Sequence, residues 1–258
     1  MKFLIQKCYK EIRHDFAFTL LEAIRFNNWL QSREKISYKY IDTEFNSNGF
    51  TKLNFKSEHK NYVPIGSVDF VTAYLQYFYD ITPKPQNIPV DLLKPEFLQR
   101  FVFNGTEHEI EGVKFVKSND RIKAYAEIVN DNTDVPEGNY QISDVISIDS
   151  EWRAFVYKGK LVGLQNYCGE FTLFPNVSII KKMIAEYKSA PIAYVLDVGV
   201  INTPVRLGNY YRSHFIDTFI IEVHDFFSCG LYGFADLAIL PQMFHRWFYE
   251  YLNKNKTT

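Results

Sequence analysis

Cysteine is scarce in this chain: three in 258 residues, Cys8, Cys168 and Cys229, far apart and odd in number. They form neither a disulfide framework nor a zinc-ligand spacing, and the six histidines show no metal-ligand spacing either. There is no G-x-x-x-x-G-K-[ST] loop and no G-x-G-x-x-G turn, so a nucleotide site here is of neither the P-loop nor the Rossmann type. The G-x-S-x-G elbow of a serine hydrolase is also missing. Charge of one sign is lacking as well. The net charge of -1 gives no global basic field and argues against a general affinity for nucleic acid. No apolar run reaches the length of a membrane span. The opening MKFLIQKCYKEIRHDF meets charge too early for a signal peptide. A cytoplasmic location without a membrane partner is the expectation. Internal repeats and low-complexity segments are absent.

Aromatic residues, by contrast, are abundant. They make up 17% of the chain, with 23 Phe and 18 Tyr, beside 47% hydrophobic and 23% charged residues. This is the composition of a globular protein with a large packed core. The N-terminal part reads as a strand at Phe3-Leu4-Ile5, a helix through Phe16 to Trp29, and a hairpin around Asn46-Ser47-Asn48-Gly49. A short strand at Val63 to Ile65 then runs through Gly66-Ser67 into a helix. Ser67 is an ordinary N-cap candidate, and the helix start is an alternative anion site. The clearest punctuation is PKPQNIP, with Pro83, Pro85 and Pro89 close together. It predicts a boundary near residue 90, between a small α/β domain (1–90) and a mixed α+β domain (91–258).

The second part carries the chemistry. Ala193 to Val200 and Phe219 to Phe226 are short, apolar and β-branched, as buried strands are, yet they contain Asp197, Glu222, His224 and Asp225. A buried carboxylate is costly unless paired. Alternation puts Glu222 and His224 on one face, and pairing of the two strands brings in Asp197. Two readings stand: a divalent-cation site of oxygen and nitrogen ligands, or strand ends with ordinary salt bridges. Asn104-Gly105 reads as a turn. A hairpin is expected from Val113-Lys114-Phe115-Val116-Lys117, a turn at Ser118-Asn119-Asp120, and a return strand over 121–129. Lys117 and Lys123 flank the turn, as point charges suited to phosphate or as solvated lysines. A strand from Tyr140 is followed by Ser150-Glu151-Trp152-Arg153. There Glu151 and Arg153 share a face and either pair with each other or serve a site. An amphipathic helix over 176–190 and a final helix from about Pro241 complete the reading.

These motifs in this order resemble the ATP-grasp superfamily, and within it the small bacterial and phage branch called the R-two-K clade. The motifs are a two-lysine hairpin, Ser-Glu-Trp-Arg, YVLDVGV and IEVHDFFSCGLYGF. The resemblance covers roughly residues 90–240. It implies an α+β fold: an ATP-grasp-like domain with antiparallel-rich mixed sheets, preceded by a small α/β domain. It implies that Lys117 and Lys123 contact nucleotide phosphates, and that the strand at Ser143, Asp144 and Val145 meets the adenine through its backbone. Arg153, with Glu151, lies near the transferred phosphate, and Lys123 and Arg153 take the catalytic roles. Arg100 in LQRF is a further branch arginine. The resemblance also implies that Asp197 and Glu222 hold the metal, with His224 beside them. The cofactors implied are ATP and magnesium, with manganese as an alternative. The activity implied is an ATP-dependent carboxylate–amine or carboxylate–thiol ligase working through an acylphosphate. Its partners are an unidentified carboxylate and amine, small molecules or peptides.

Two departures from the family pattern stand out. The last metal strand reads Glu222-x-His224 where the superfamily has Glu-x-Asn, and imidazole is a poorer magnesium ligand than an amide oxygen. The loop between the lysines also has no glycine. Two alternatives therefore stay open: a nucleotidyltransferase using Lys117 as nucleophile, and an ATP-binding protein with weak catalysis.

Overall fold

The computed structural model describes residues 1–31, 34–47, 49–122, 124–207 and 210–255. In chain order the first elements are β1 (Lys2–Cys8), α1 (Asp15–Leu30), β2 (Ser37–Asn46), β3 (Gly49–Lys52), β4 (Val63–Ile65) and α2 (Val68–Tyr79). Then come α3 (Pro95–Leu98), β5 (Val102–Thr106), β6 (Lys114–Ser118), β7 (Ala126–Val129), β8 (Asn139–Asp144), β9 (Ser150–Tyr157) and β10 (Lys160–Gly169). The chain closes with α4 (Val177–Glu186), β11 (Ala193–Leu207), β12 (Tyr210–Asp225) and α5 (Leu240–Asn255).

Two compact units result. One comprises Met1–Pro83, Pro191–Ala193 and the residues from Phe226 onward; the other comprises Lys84–Ala190 and Tyr194–Asp225. The break after Pro83 lies inside the proline-rich stretch, a few residues before the expected boundary. The final helix differs from expectation. The sequence assigns it to the second domain, but its aromatic stripe packs in the first unit: Phe244 on Phe226 with ring centres 4.8 Å apart, and Phe248 near Tyr74 at 6.1 Å. The sheet of this unit runs β3-β2-β1-β4, with β1 parallel to both β2 and β4. Phe3, Leu4 and Ile5 of β1 are fully buried, as a central parallel strand requires. Ser67 caps α2, its Oγ accepting the Phe70 N–H at 3.2 Å, while its own N–H donates to Gln6 Oε1 at 2.7 Å.

The second unit holds two four-stranded sheets, β5-β8-β6-β7 and β10-β9-β11-β12. The first is antiparallel throughout, and β9–β10 and β11–β12 pair antiparallel in the second. One face of the second sheet, with Trp152, Ala154, Val156, Leu196 and Val198, packs under Ile180, Met183 and Ile184 of α4. Burial of such an apolar layer stabilises the unit by about 25 cal/mol per Å² removed from water. Its other face carries Arg153 and Asp197.

Two local expectations are corrected. Asn104-Gly105, expected as a turn, lies inside β5, where Gly105 pairs with Tyr140. The return strand after Lys117 starts at Ala126, not at 121. Side chains take over the backbone in between. Ser118 Oγ accepts the Asp120 N–H at 3.2 Å, and Asp120 accepts the N–H of Asn139 at 2.8 Å. Such local polar bonds compete with a strand ladder. Among the described residues no helix is long and apolar enough to cross a membrane.

Candidate functional site

β11 and β12 pair so that Asp197 lies opposite Glu222, and Val195 opposite His224. The register shifts between Asp197 and Val198, where Val198 pairs with Ile220 and Ile221 is the extra residue. This bulge decides where Glu222 points. Ile220 and Val223 both lie in the core beneath α4. In an unbroken strand Ile220 and Glu222 would share that buried face. The inserted residue turns Glu222 out to the open face, a use of bulges known beside active sites.

On that face Asp197, 1% exposed, takes a two-pronged hydrogen bond from Arg153 on the neighbouring strand β9. Nε donates to Oδ1 at 2.8 Å and Nη2 to Oδ2 at 2.7 Å. His224 Nε2 sits 2.7 Å from Glu222 Oε1 and 3.7 Å from Asp197 Oδ2. Lys117, reaching across from β6 of the other sheet, forms an ion pair with Glu222. One ligand atom from each of Asp197, Glu222 and His224 lies within 4.8 Å of the others. Two carboxylates and an imidazole at this spacing are the groups here that could hold a divalent cation, and both carboxylates are already neutralised, Asp197 by Arg153 and Glu222 by Lys117.

Burial, opposed by the Asp197 charge and reinforced by Arg153, lowers the Lys117 ammonium to about 8. Tyr167 on β10 lies beside Arg153, whose guanidinium stands 5.5 Å over the ring. Burial pushes the Tyr167 phenol up, and the Asp197 charge and a hydrogen bond to Glu151 push it further. Glu151 thus meets Tyr167, while Arg153 is committed to Asp197.

Arg100, just after α3, donates from Nη1 to the carbonyls of Ile220 at 2.9 Å and Leu98 at 3.0 Å. Its guanidinium stands 5.6 Å over the Phe219 ring, and burial lowers its pKa to about 10. Gly199 makes this possible. A Cβ there would lie 2.3 Å from the Phe219 ring, which lies across the glycine instead.

A cavity of about 70 Å³ opens between the two sheets. It is lined by Arg100, Phe115, Lys117, Gln141, Ser143, Ile221 and Glu222. The structure therefore brings Lys117, Ser143, Arg100 and Glu222 to one cavity, with Asp197, His224 and Arg153 adjoining through Glu222. Asp144 is engaged elsewhere, accepting Lys114 Nζ at 2.7 Å and the Phe101 N–H at 3.1 Å. Ser143 and Asp144 lie within a strand whose backbone pairs with β5 and β6, and Val145 is the first residue past that ladder. Lys123 lies outside the described residues. Sequence reading leaves out Phe115, Gln141, Ile221 and Tyr167. Strand alternation from Lys117 and Ser143 gives Phe115 and Gln141. Nothing in the sequence signals the bulge at Ile221 or the place of Tyr167.

Residues 97–241 match the profile described as ATP-grasp domain, R-two-K clade family 2. The chain belongs to that family. The same fold is seen in D-alanine–D-alanine ligase from Bacillus anthracis complexed with ATP. That match has a TM-score of 0.50 at 11% identity and covers 99% of each chain. N5-carboxyaminoimidazole ribonucleotide synthetase from Thermotoga maritima aligns with a TM-score of 0.47 at 9% identity, over 95% of this chain and 76% of that one. No curated protein sequence matches. This ATP-grasp chain thus shares its α+β fold with the Bacillus anthracis ligase at 11% identity.

Proposed function

We propose that this ATP-grasp chain is an ATP-dependent ligase. A substrate carboxylate oxygen attacks the terminal phosphorus of ATP, the bond to the bridging oxygen breaks, and ADP leaves. An amine or thiol then attacks the acylphosphate carbon, and phosphate departs. The observation that carries the reading is the meeting of Asp197 and Glu222 on one sheet with Lys117 from the facing sheet, beside Arg153.

Phosphoryl transfer needs positioning and charge neutralisation more than covalent help from the protein. Lys117 reaches the cleft from β6 and supplies a point charge for phosphate oxygens. Arg153, held on Asp197 by both prongs, adds positive charge beside the cleft without leaving its partner. Phe115 and Ile221 are the apolar part of the cavity wall, and a cavity of about 70 Å³ must widen to take a nucleotide. Val145, just past the end of the β8 ladder, is the residue of this strand whose backbone we assign to a base edge. A divalent cation, magnesium or manganese, held by Asp197 and Glu222 with His224 at its edge, would neutralise charge on the phosphates.

One observation favours a second reading. A lysine lowered to about 8 releases its proton more readily than an ordinary one, as a covalent adenylyl carrier must. Its ion pair with Glu222 holds the proton in place, and the sequence Lys117-Ser118-Asn119-Asp120 lacks the glycine such carriers use. The test is product analysis after incubation with ATP, magnesium and a pool of carboxylates and amines. ADP with phosphate is expected. A lysine-linked adenylate in the intact mass would replace the ligase reading by the nucleotidyltransferase one. Tight ATP binding with no product from any pool would leave a binding protein.

His224 gives a separate expectation. His224→Asn folds, and its ATP affinity in magnesium rises towards that in manganese, because an amide oxygen replaces an imidazole beside Glu222. Titration calorimetry in each metal reads this. A severe loss of ATP affinity in both metals would assign His224 a role of its own.

A further inference from the structure

The segment Gln86-Asn87-Ile88, inside the proline-rich stretch, is stitched to both sheets of the second unit. The Val223 N–H donates to the Asn87 carbonyl at 2.7 Å. Val223 is the residue between Glu222 and His224. The Asn87 side chain turns the other way, its Nδ2 donating to the carbonyl of Ser118 at 2.9 Å and to Asn119 Oδ1 at 2.7 Å. Ser118 follows Lys117. One residue, 2% exposed, thus holds both the strand that carries Glu222 and the hairpin that carries Lys117.

A closed ring of amides fixes this residue in turn. Asn119 Nδ2 donates to Asn104 Oδ1 at 3.1 Å, and Gln141 Nε2 reaches the same oxygen at 3.3 Å. Gln141 also binds Ile88 on both sides, accepting its N–H at 2.9 Å and donating to its carbonyl at 3.0 Å. Ile88 returns to Asn87 through the chain. Gln86 adds a bond to Asp225 Oδ2 on β12 at 2.9 Å.

Two features favour asparagine at position 87, and a third marks the cost at which it is kept. Its φ of +46° lies in the left-handed region, which asparagine tolerates better than most residues. Its amino group faces two acceptors, so a carboxylate there would meet two oxygens. Its Oδ1 is buried without a hydrogen-bond partner among the described residues. A buried acceptor left unsatisfied is costly, and such a site persists where the surrounding structure demands it.

We infer that Asn87 is a positioning residue: it sets the separation between Lys117 and Glu222, and so the fit of the cleft to a phosphate chain spanning from one to the other. This rests on the ATP-binding reading above. It assigns to the boundary segment a part in the site that the proline punctuation gives no hint of.

The test uses the full chain, with ATP and manganese titrated by calorimetry, manganese titrated alone, and melting of the nucleotide-free protein. Asn87→Gly keeps the left-handed backbone and the carbonyl that accepts from Val223, and removes only the side chain. It is expected to weaken ATP about tenfold, a loss of one to two hydrogen bonds, while manganese alone binds as before. Asn87→Asp is expected to weaken ATP further, since its carboxylate meets two acceptors. Equal weakening of manganese and of ATP would make the role merely structural and overturn the inference, as would Asn87→Asp binding ATP better than Asn87→Gly. Should Asn87→Gly fail to fold, Asn119→Ala removes one of the two acceptors from outside; unchanged ATP affinity in that variant overturns the inference. If the unmodified chain binds no ATP, the functional reading itself falls. If it binds ATP and Asn87→Gly binds it equally, only the role of Asn87 falls.

Discussion

Asp197→Asn lowers the free energy of unfolding by about 3–5 kcal/mol, the cost of leaving one member of a buried ion pair without its partner. Asp197 is 1% exposed, and the Arg153 side chain on the next strand is 8% exposed. Both prongs of the guanidinium end on the carboxylate, at 2.8 and 2.7 Å. The amide keeps one acceptor oxygen but turns an N–H₂ towards the other prong, so the variant buries a cation facing a donor. The sequence alone leads to the opposite expectation. On an apolar strand a neutral amide looks easier to bury than a carboxylate, and it would be, were the neighbouring strand not the one that carries Arg153. Urea unfolding curves of the two proteins decide it. Superimposable curves would mean that Asp197 does not anchor Arg153, and the site would lose its fixed geometry. Lost ATP turnover in this variant is therefore no evidence of metal ligation unless it is measured where the variant is still folded.

The contrast between what is readable and what is not follows the range of the interactions. Alternation along β11 and β12 puts Glu222 and His224 on one face, and pairing puts Asp197 with them, because strand geometry repeats every two residues. The helices at α1, α4 and α5 are legible for the same kind of reason. Single residues that break a period are not. The bulge at Ile221 changes which face Glu222 occupies, yet Ile220-Ile221 reads as any pair of strand residues. Gly199 is explained only by the Phe219 ring that lies across it. Asn87 reaches Ser118 across 31 positions through a side-chain amide, which leaves no periodic trace. The alternating pattern starts the return strand after Lys117 too early because Ser118 and Asp120 satisfy backbone groups that such a pattern assigns to a ladder. The last helix shows apolar periodicity, but periodicity says which face is buried and not against which unit.

Glu222→Gln is expected to fail in a different way. The Glu222 side chain is 19% exposed and that of Lys117 22%, at the edge of a cavity rather than deep in the core. Glu222 Oε2 is shielded from water and burial already lowers the Lys117 ammonium, so the loss of their attraction costs about 1–3 kcal/mol, less than the loss of the Asp197–Arg153 pair. Binding is lost as well. Glu222 is the point where the two sheets meet through charge: Lys117 contacts one of its oxygens and His224 Nε2 lies 2.7 Å from the other. A cation held there would have two carboxylates in the native chain and one in the variant. Mutating even the outer partners of a metal ligand costs roughly 10- to 100-fold in affinity, so removing a ligand charge should weaken manganese by about 100-fold or more. ATP affinity in manganese should fall with it, while ATP affinity measured in a chelator does not fall. The chelator arm matters because the substitution also releases Lys117 from its ion pair, leaving it available to phosphate without competition. If ATP affinity in manganese were unchanged, Glu222 would be no more than the resting partner of Lys117. The cluster of Asp197, Glu222 and His224 would then be a salt-bridge network that joins two sheets.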